Sequence, residues 1–138
     1  MSYIKTISIS RKRGEKKYNV PKATLKEGSG IVNDAHAGFG HRQVSLLPYE
    51  TIQRTRLQGI DINPGDFAEN ICTEGLDFKD IRIGTRIHIG GEVILEVSQI
   101  GKACHNPCRI YQALGDCAMP REGVFTIVLR GGTIQASD

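Results

Sequence analysis

Residues 101–108 read GKACHNPC, and a third cysteine, Cys117, follows nine positions later. Thiols and an imidazole so close together could ligate a metal, form a disulfide, act as nucleophiles or only fill a core. Structural zinc wants four Cys or His ligands, usually in two close pairs. Cys104, His105, Cys108 and Cys117 supply four donors, but Cys117 stands alone and His105 is adjacent to Cys104. A zinc-stabilised β domain is therefore the lesser alternative. A reactive thiol fits better at Cys104. Lys102 lies two residues before it, His105 follows, and a helix is expected to start at Asn106. Cations and helix-start N–H groups lower a thiol pKa. Cys108 and Cys117 are packed neighbours or resolving thiols. Cys72, in ENICTEG, reads as a small buried hydrophobe.

The elements that must position these residues are mostly strands. Ile81, Ile83, Ile87 and Ile89 occupy odd positions, which share one face of an extended chain. Gly90-Gly91 offers a hairpin turn, and Val93, Leu95 and Val97 alternate again beyond it. VFTIVL (124–129) is a continuous apolar run, expected as a strand covered on both faces, with a short closing strand at 133–135. Ile7 and Ile9 alternate near the start, and QVSLL (43–47) is a further strand. Two short helices are expected. PYETIQRTRLQG (48–59) has Pro48 at its first position, Glu50 at the positive end and Gly59 as its stop. NPCRIYQALG (106–115) has Asn106 as N-cap and Gly115 as its stop, which puts Cys108 in its first turn. Short strands, glycine turns and little helix define a mainly β, β-barrel-like fold.

The chain has 138 residues, 39% of them hydrophobic and 24% charged, so one domain over residues 1–138 is expected. No apolar run is long enough to span a membrane, and the first residues lack the apolar core of a secretory signal. A cytoplasmic location with free thiols follows as the expectation. The net charge is only +3, but residues 1–30 gather eight Lys and Arg against Glu15 and Glu27. The reading taken is a solvated turn between strands. Nucleic-acid binding is disfavoured, because only Tyr3 and Tyr18 interleave the charges.

Four segments, in order, resemble the MOSC domain, the family named for the C-terminal domain of molybdenum-cofactor sulfurase. They are NDAHAGFGHRQVSLLPYE (33–50), GDFAENICTEGLDFKDIRIGTRIHIG (65–90), LEVSQIGKACHNPCRIY (95–111) and MPREGVFTIVLRGGTI (119–134). The match is closest to compact, single-domain bacterial members. It implies a β-barrel-like fold with a few small helices and a pocket for molybdenum cofactor or a related molybdopterin. Counting from Gln99, the family's single characteristic cysteine falls on Cys104. In that setting Cys104 would carry sulfur as a persulfide or ligate molybdenum through its thiolate. The chemistry suits a soft donor. Sulfur transfer to the metal is thus the implied activity, with a cofactor carrier without turnover as the alternative. A separate sulfur donor such as a cysteine desulfurase, and molybdoenzymes or cofactor-biosynthesis proteins, are the implied partners.

The same resemblance suggests further ligands. His36 would hydrogen-bond pterin or phosphate, Arg42 would grip phosphate with its guanidinium, and Glu69 and Asn70 would line the pocket. Lys102 would hold an anion or lower the pKa of Cys104. Each has a plainer alternative: His36 and Lys102 solvated in turns, Arg42 on a strand edge, Asn70 capping a turn. Arg121 and Glu122 are read as structural, and His41 and His88 as surface residues. Two departures from the family pattern stand out. Ala68 precedes the Glu-Asn pair where glycine is usual, and Ser137 stands where the final turn usually has glycine.

Overall fold

A computed structural model of the chain describes residues 3–11, 17–35, 37–38, 40, 42–67, 69–100 and 123–138. Strands dominate. They are β1 (Tyr3–Ile9), β2 (Tyr18–Val20), β3 (Lys22–Lys26), β4 (Gly30–Ile31), β5 (Val44–Pro48), β6 (Ile71–Glu74), β7 (Arg86–Ile89), β8 (Val93–Ile100), β9 (Val124–Arg130) and β10 (Gly132–Gln135). One α-helix, α1 (Tyr49–Leu57), follows β5, and a 3-10 turn covers Phe78–Asp80. Seven strands form one sheet in the order β2-β1-β6-β5-β9-β8-β7; β10, β3 and β4 form a second. The large sheet curls into a half-barrel, as the mainly β, barrel-like reading expects.

The pleat sorts the apolar side chains into two cores. Leu46, Ile71, Val124 and Val128 point into the curl with Ile4, Ile7, Ile89, Val93, Leu95 and Val97. Their chain neighbours Leu47, Cys72 and Phe125 point to the other face and meet Ile52 of α1, Ile62 and Phe67. Ile52, Ile62 and Leu47 are fully buried, each contributing about 1.5–3 kcal/mol. That second core explains why VFTIVL lacks alternation: β9 is covered on both faces over Val124–Thr126.

The expected hairpin is present, with Ile89 opposite Val93 and Arg86 opposite Glu96. Its first strand is shorter than the isoleucine pattern suggests. Residues 82–85 form a turn, closed by the Thr85 N–H to the Arg82 carbonyl (3.0 Å) and opened up by Gly84 at φ 95°. Ile83 is consequently 69% exposed. Helix α1 lies within its expected bounds, but Pro48 ends β5 and serves as the N-cap. Its stripe is narrow, with only Thr51, Ile52 and Thr55 buried. Arg56 fastens it to the next loop, donating to the Ile62 carbonyl (2.8 Å), the Asn63 Oδ1 (3.0 Å) and the Tyr49 hydroxyl (3.0 Å). The expected helix at 106–115 lies outside the described residues.

Ser137 adopts φ 81° and donates its N–H to the Ile4 carbonyl (2.8 Å). The final turn thus uses a glycine-like backbone conformation despite the serine.

Candidate functional site

The register lines up a row of side chains, polar except for Phe125, across the outer face of the sheet. Ser45 lies opposite Phe125, and Phe125 opposite Gln99, so β5, β9 and β8 contribute adjacent residues. Asn70, just before β6, extends the row on the other side. Its Oδ1 accepts from the Ser45 N–H (3.0 Å) and hydroxyl (3.2 Å), and its Nδ2 donates to the Ser8 carbonyl (3.1 Å). The Ser8 N–H donates in turn to the Asn70 carbonyl (2.6 Å). Asn70 therefore ties the end of β1 to the start of β5 and is fully committed to that task. It is 1% exposed.

Arg42 closes the other end of the row. Its Nε donates to the Gln99 Oε1 (3.0 Å), and the guanidinium carbon sits 5.1 Å from the centre of the Phe125 ring. The stacking holds the plane of the fork in place. Its terminal nitrogens have no partner among the described residues, and the residue is exposed. An anion could accept both of those N–H groups in the bidentate manner that arginine favours.

Glu69 is a different kind of group. It is 1% exposed, and its Oε2 accepts from the Gly65 N–H (2.8 Å). Its Oε1 has no hydrogen-bond partner among the described residues. Burial pushes the carboxyl up from 4.5 to about 7, with the backbone N–H of Gly65 pulling the other way. At neutral pH it therefore sits between its charged and neutral forms and can hold or release a proton. Only glycine fits at position 65: its φ is +98°, and a Cβ would stand 2.6 Å from the Lys17 carbonyl oxygen.

Lys17 is an exception in the basic run, whose Lys5, Arg11, Lys22 and Lys26 are exposed as the solvated reading expects. The Lys17 ammonium is buried and pairs with the Asp34 Oδ1 at 2.8 Å, both side chains fully covered. It also donates to the Ser10 hydroxyl (3.1 Å), while the Ser10 N–H donates to the same Asp34 oxygen (3.0 Å). This pair clamps the loop after β4 to the end of β1. One lysine among many in a basic segment gives no signal of burial; only the partner from a distant loop does. Gln43 was likewise unsignalled: it is buried, donating to the Gly40 carbonyl (3.0 Å) and accepting from the Val128 N–H (2.9 Å).

Of the other residues singled out, Cys72 is fully buried as expected, and burial pushes its thiol pKa far up. His88 is exposed, also as expected. His36, His41, Lys102, Cys104, His105, Cys108, Cys117, Arg121 and Glu122 lie outside the described residues. Among the described residues no cluster of His, Cys, Asp and Glu could hold a metal ion. No helix among them is long and apolar enough to cross a membrane.

A half-barrel β sheet with this polar row defines the class. The MOSC domain model matches residues 33–138, and the chain belongs to that family. The family is associated with the molybdenum cofactor. The fold is similar to the crystal structure of the YuaD protein from Bacillus subtilis, at a TM-score of 0.79 and 20% identity. That likeness covers 100% of this chain and 93% of the other. It is similar to YiiM from Geobacillus stearothermophilus (TM-score 0.70, 18% identity, 99% of this chain and 72% of that one). YiiM from Escherichia coli gives a TM-score of 0.65 at 19% identity, over 98% of this chain and 66% of that one. At these identities the likeness concerns the fold. A comparison with curated proteins finds no match.

Proposed function

We propose that this MOSC protein binds molybdenum cofactor or a related molybdopterin and carries or transfers sulfur through Cys104. The observation that carries the reading is the Arg42 guanidinium: Gln99 and Phe125 fix it, and its terminal nitrogens meet no partner among the described residues. That donor set fits the phosphate end of a molybdopterin. The orphaned Oε1 of Glu69 is a second polar atom suited to a pterin N–H, and the carboxyl can accept or donate there because it titrates near 7. Asn70 supports the site from below by holding β1 to β5. When bound, the cofactor supplies a molybdenum centre with affinity for soft sulfur donors. Cys104, with Lys102 and the expected helix start beside it, is the thiolate assigned to it, and His36 and Lys102 are assigned to its anionic groups.

The test measures binding of molybdopterin cofactor to purified protein and, in a second mixture with a cysteine desulfurase and free cysteine as the source of sulfane sulfur, persulfide loading by intact mass. Wild type is expected to bind and to gain one reductant-labile sulfur at Cys104. Arg42→Gln should weaken cofactor binding about tenfold or more through the lost bidentate contact. If Cys104→Ser binds and loads like wild type, the sulfur role fails. If it binds but does not load, the thiol carries sulfur without anchoring the cofactor. A chain that binds tightly and never loads is a carrier.

A further inference from the structure

Among the described residues the half-barrel is left open along one seam. β7 is the last strand of the large sheet and pairs only with β8. None of its residues makes a further backbone hydrogen bond among the described residues, which leaves the outward N–H and C=O groups of Arg86–Ile89 unpaired there. Facing that edge is a cavity of about 260 Å³. Thr85, Arg86, Ile87, His88 and Ile89 all line it. Consecutive residues of a strand point to opposite faces, so all four residues of β7 can line one cavity only through the strand's edge.

The far wall is apolar, with Ile4, Leu46 and Ile81, and carries one unsatisfied group. That group is the Thr73 hydroxyl, on a residue 6% exposed and without a hydrogen-bond partner among the described residues. The β1 side of the seam is already occupied, because Ser137 donates to the Ile4 carbonyl. The free template is the β7 edge.

We propose that this seam receives an extended peptide segment of a partner protein, added as a strand to β7. Its apolar side chains enter the cavity, and an acidic side chain lies on the outer face beside Arg86. Edge strands recruit extended chains through main-chain hydrogen bonds, with alternate side chains giving specificity. The space, about nine liquid-water volumes at roughly 30 Å³ each, suits aliphatic side chains rather than a folded element. Charge selects the occupant. Arg86 and His88 are exposed on the outer face. Glu96 of β8 lies opposite Arg86 on the inner side of the ladder but makes no ion pair with it, so Arg86 can still turn to an acid on its open side. The acidic position belongs at the Arg86 end, since Asp138, bound to the Gln135 N–H (3.0 Å), lies against Gly90 at the other.

A second copy of this chain fits poorly. Two β7 edges joined by a two-fold that keeps their outer faces together must oppose residues of like parity. Registers centred on Arg86, Ile87 or His88 set Arg86 or His88 against another of the two, a pairing that like charges disfavour at Arg86, and the register centred on Ile89 pairs only that residue of β7 with its copy.

The probe is the peptide acetyl-Thr-Val-Glu-Val-Thr-amide, titrated into ¹⁵N-labelled protein. Saturable shifts confined to the amides of Thr85–Ile89, Ile4 and Thr73 are expected. Arg86→Glu should weaken the glutamate peptide at least tenfold and favour its lysine counterpart. Peptides N-methylated at alternate residues, in each of the two frames, should bind in at most one frame. No shift in β7 at about 5 mM peptide would overturn the proposal. So would binding in both methylated frames, indifference to Arg86→Glu, or sedimentation showing the edge consumed by self-association.

Discussion

Glu69 gives the sharpest physical test, because its burial makes a quantitative statement about pH. The unfolded chain releases this proton near 4.5 and the folded chain near 7. Between those values the folded state holds a proton that the unfolded state has lost. Stability from this group is therefore fully present below 4.5, falls as pH rises, and is gone above about 7. The size is about 3 kcal/mol, from a gap of two and a half pH decades at 1.36 kcal/mol each. Glu69→Gln mimics the neutral acid. Its carbonyl can accept from the Gly65 N–H, and its amide replaces an Oε1 that has no partner among the described residues. The two proteins should be equally stable near pH 4.5, and the variant should gain steadily to about 3 kcal/mol by pH 8. Urea unfolding followed by far-UV circular dichroism measures this; the chain has no tryptophan to follow. Taking the difference between proteins cancels every other titration. A difference that does not change with pH, or a variant weaker than wild type at pH 8, would refute the account of a desolvated carboxyl.

Other outcomes follow from the same geometry. Lys17→Met removes the Lys17 ammonium from the buried Asp34 and should cost about 3–5 kcal/mol in urea unfolding, while Lys17→Met with Asp34→Leu should recover part of it. Gly65→Ala places a Cβ 2.6 Å from a backbone oxygen at a positive φ, and should cost at least about 2 kcal/mol, seen as a lowered Tm. Cys72 is buried with a raised pKa, so a maleimide should leave it unmodified in native protein and label it in urea, checked by peptide mass mapping.

Local pattern and long-range assembly contributed different things. Alternating apolar residues announced β8 and the hairpin turn, and the proline and glycine around residues 48–59 announced α1. These are properties of a few neighbouring residues, so a linear reading reaches them. β3 (KATLK) and β6 (ICTE) gave no such signal. β3 exists because β10 and β4 flank it, and β6 because it lies between β1 and β5. Their stability is in the pairing, not in their own composition.

The site divides in the same way. Arginine at 42 and a Glu-Asn pair at 69 and 70 could be marked from residue type and family pattern. Their different characters could not. Arg42 is open because Gln99 and Phe125 arrive beneath it from two other strands. Asn70 is spent on Ser8 and Ser45, and Glu69 is desolvated by packing around Gly65. Lys17 looked like one more solvated cation until Asp34 met it across the fold. The sequence by itself determined which chemical groups this protein has and the short elements that carry them. The tertiary structure alone decided which groups meet water and which lose it, because burial and partner are set by residues far apart along the chain.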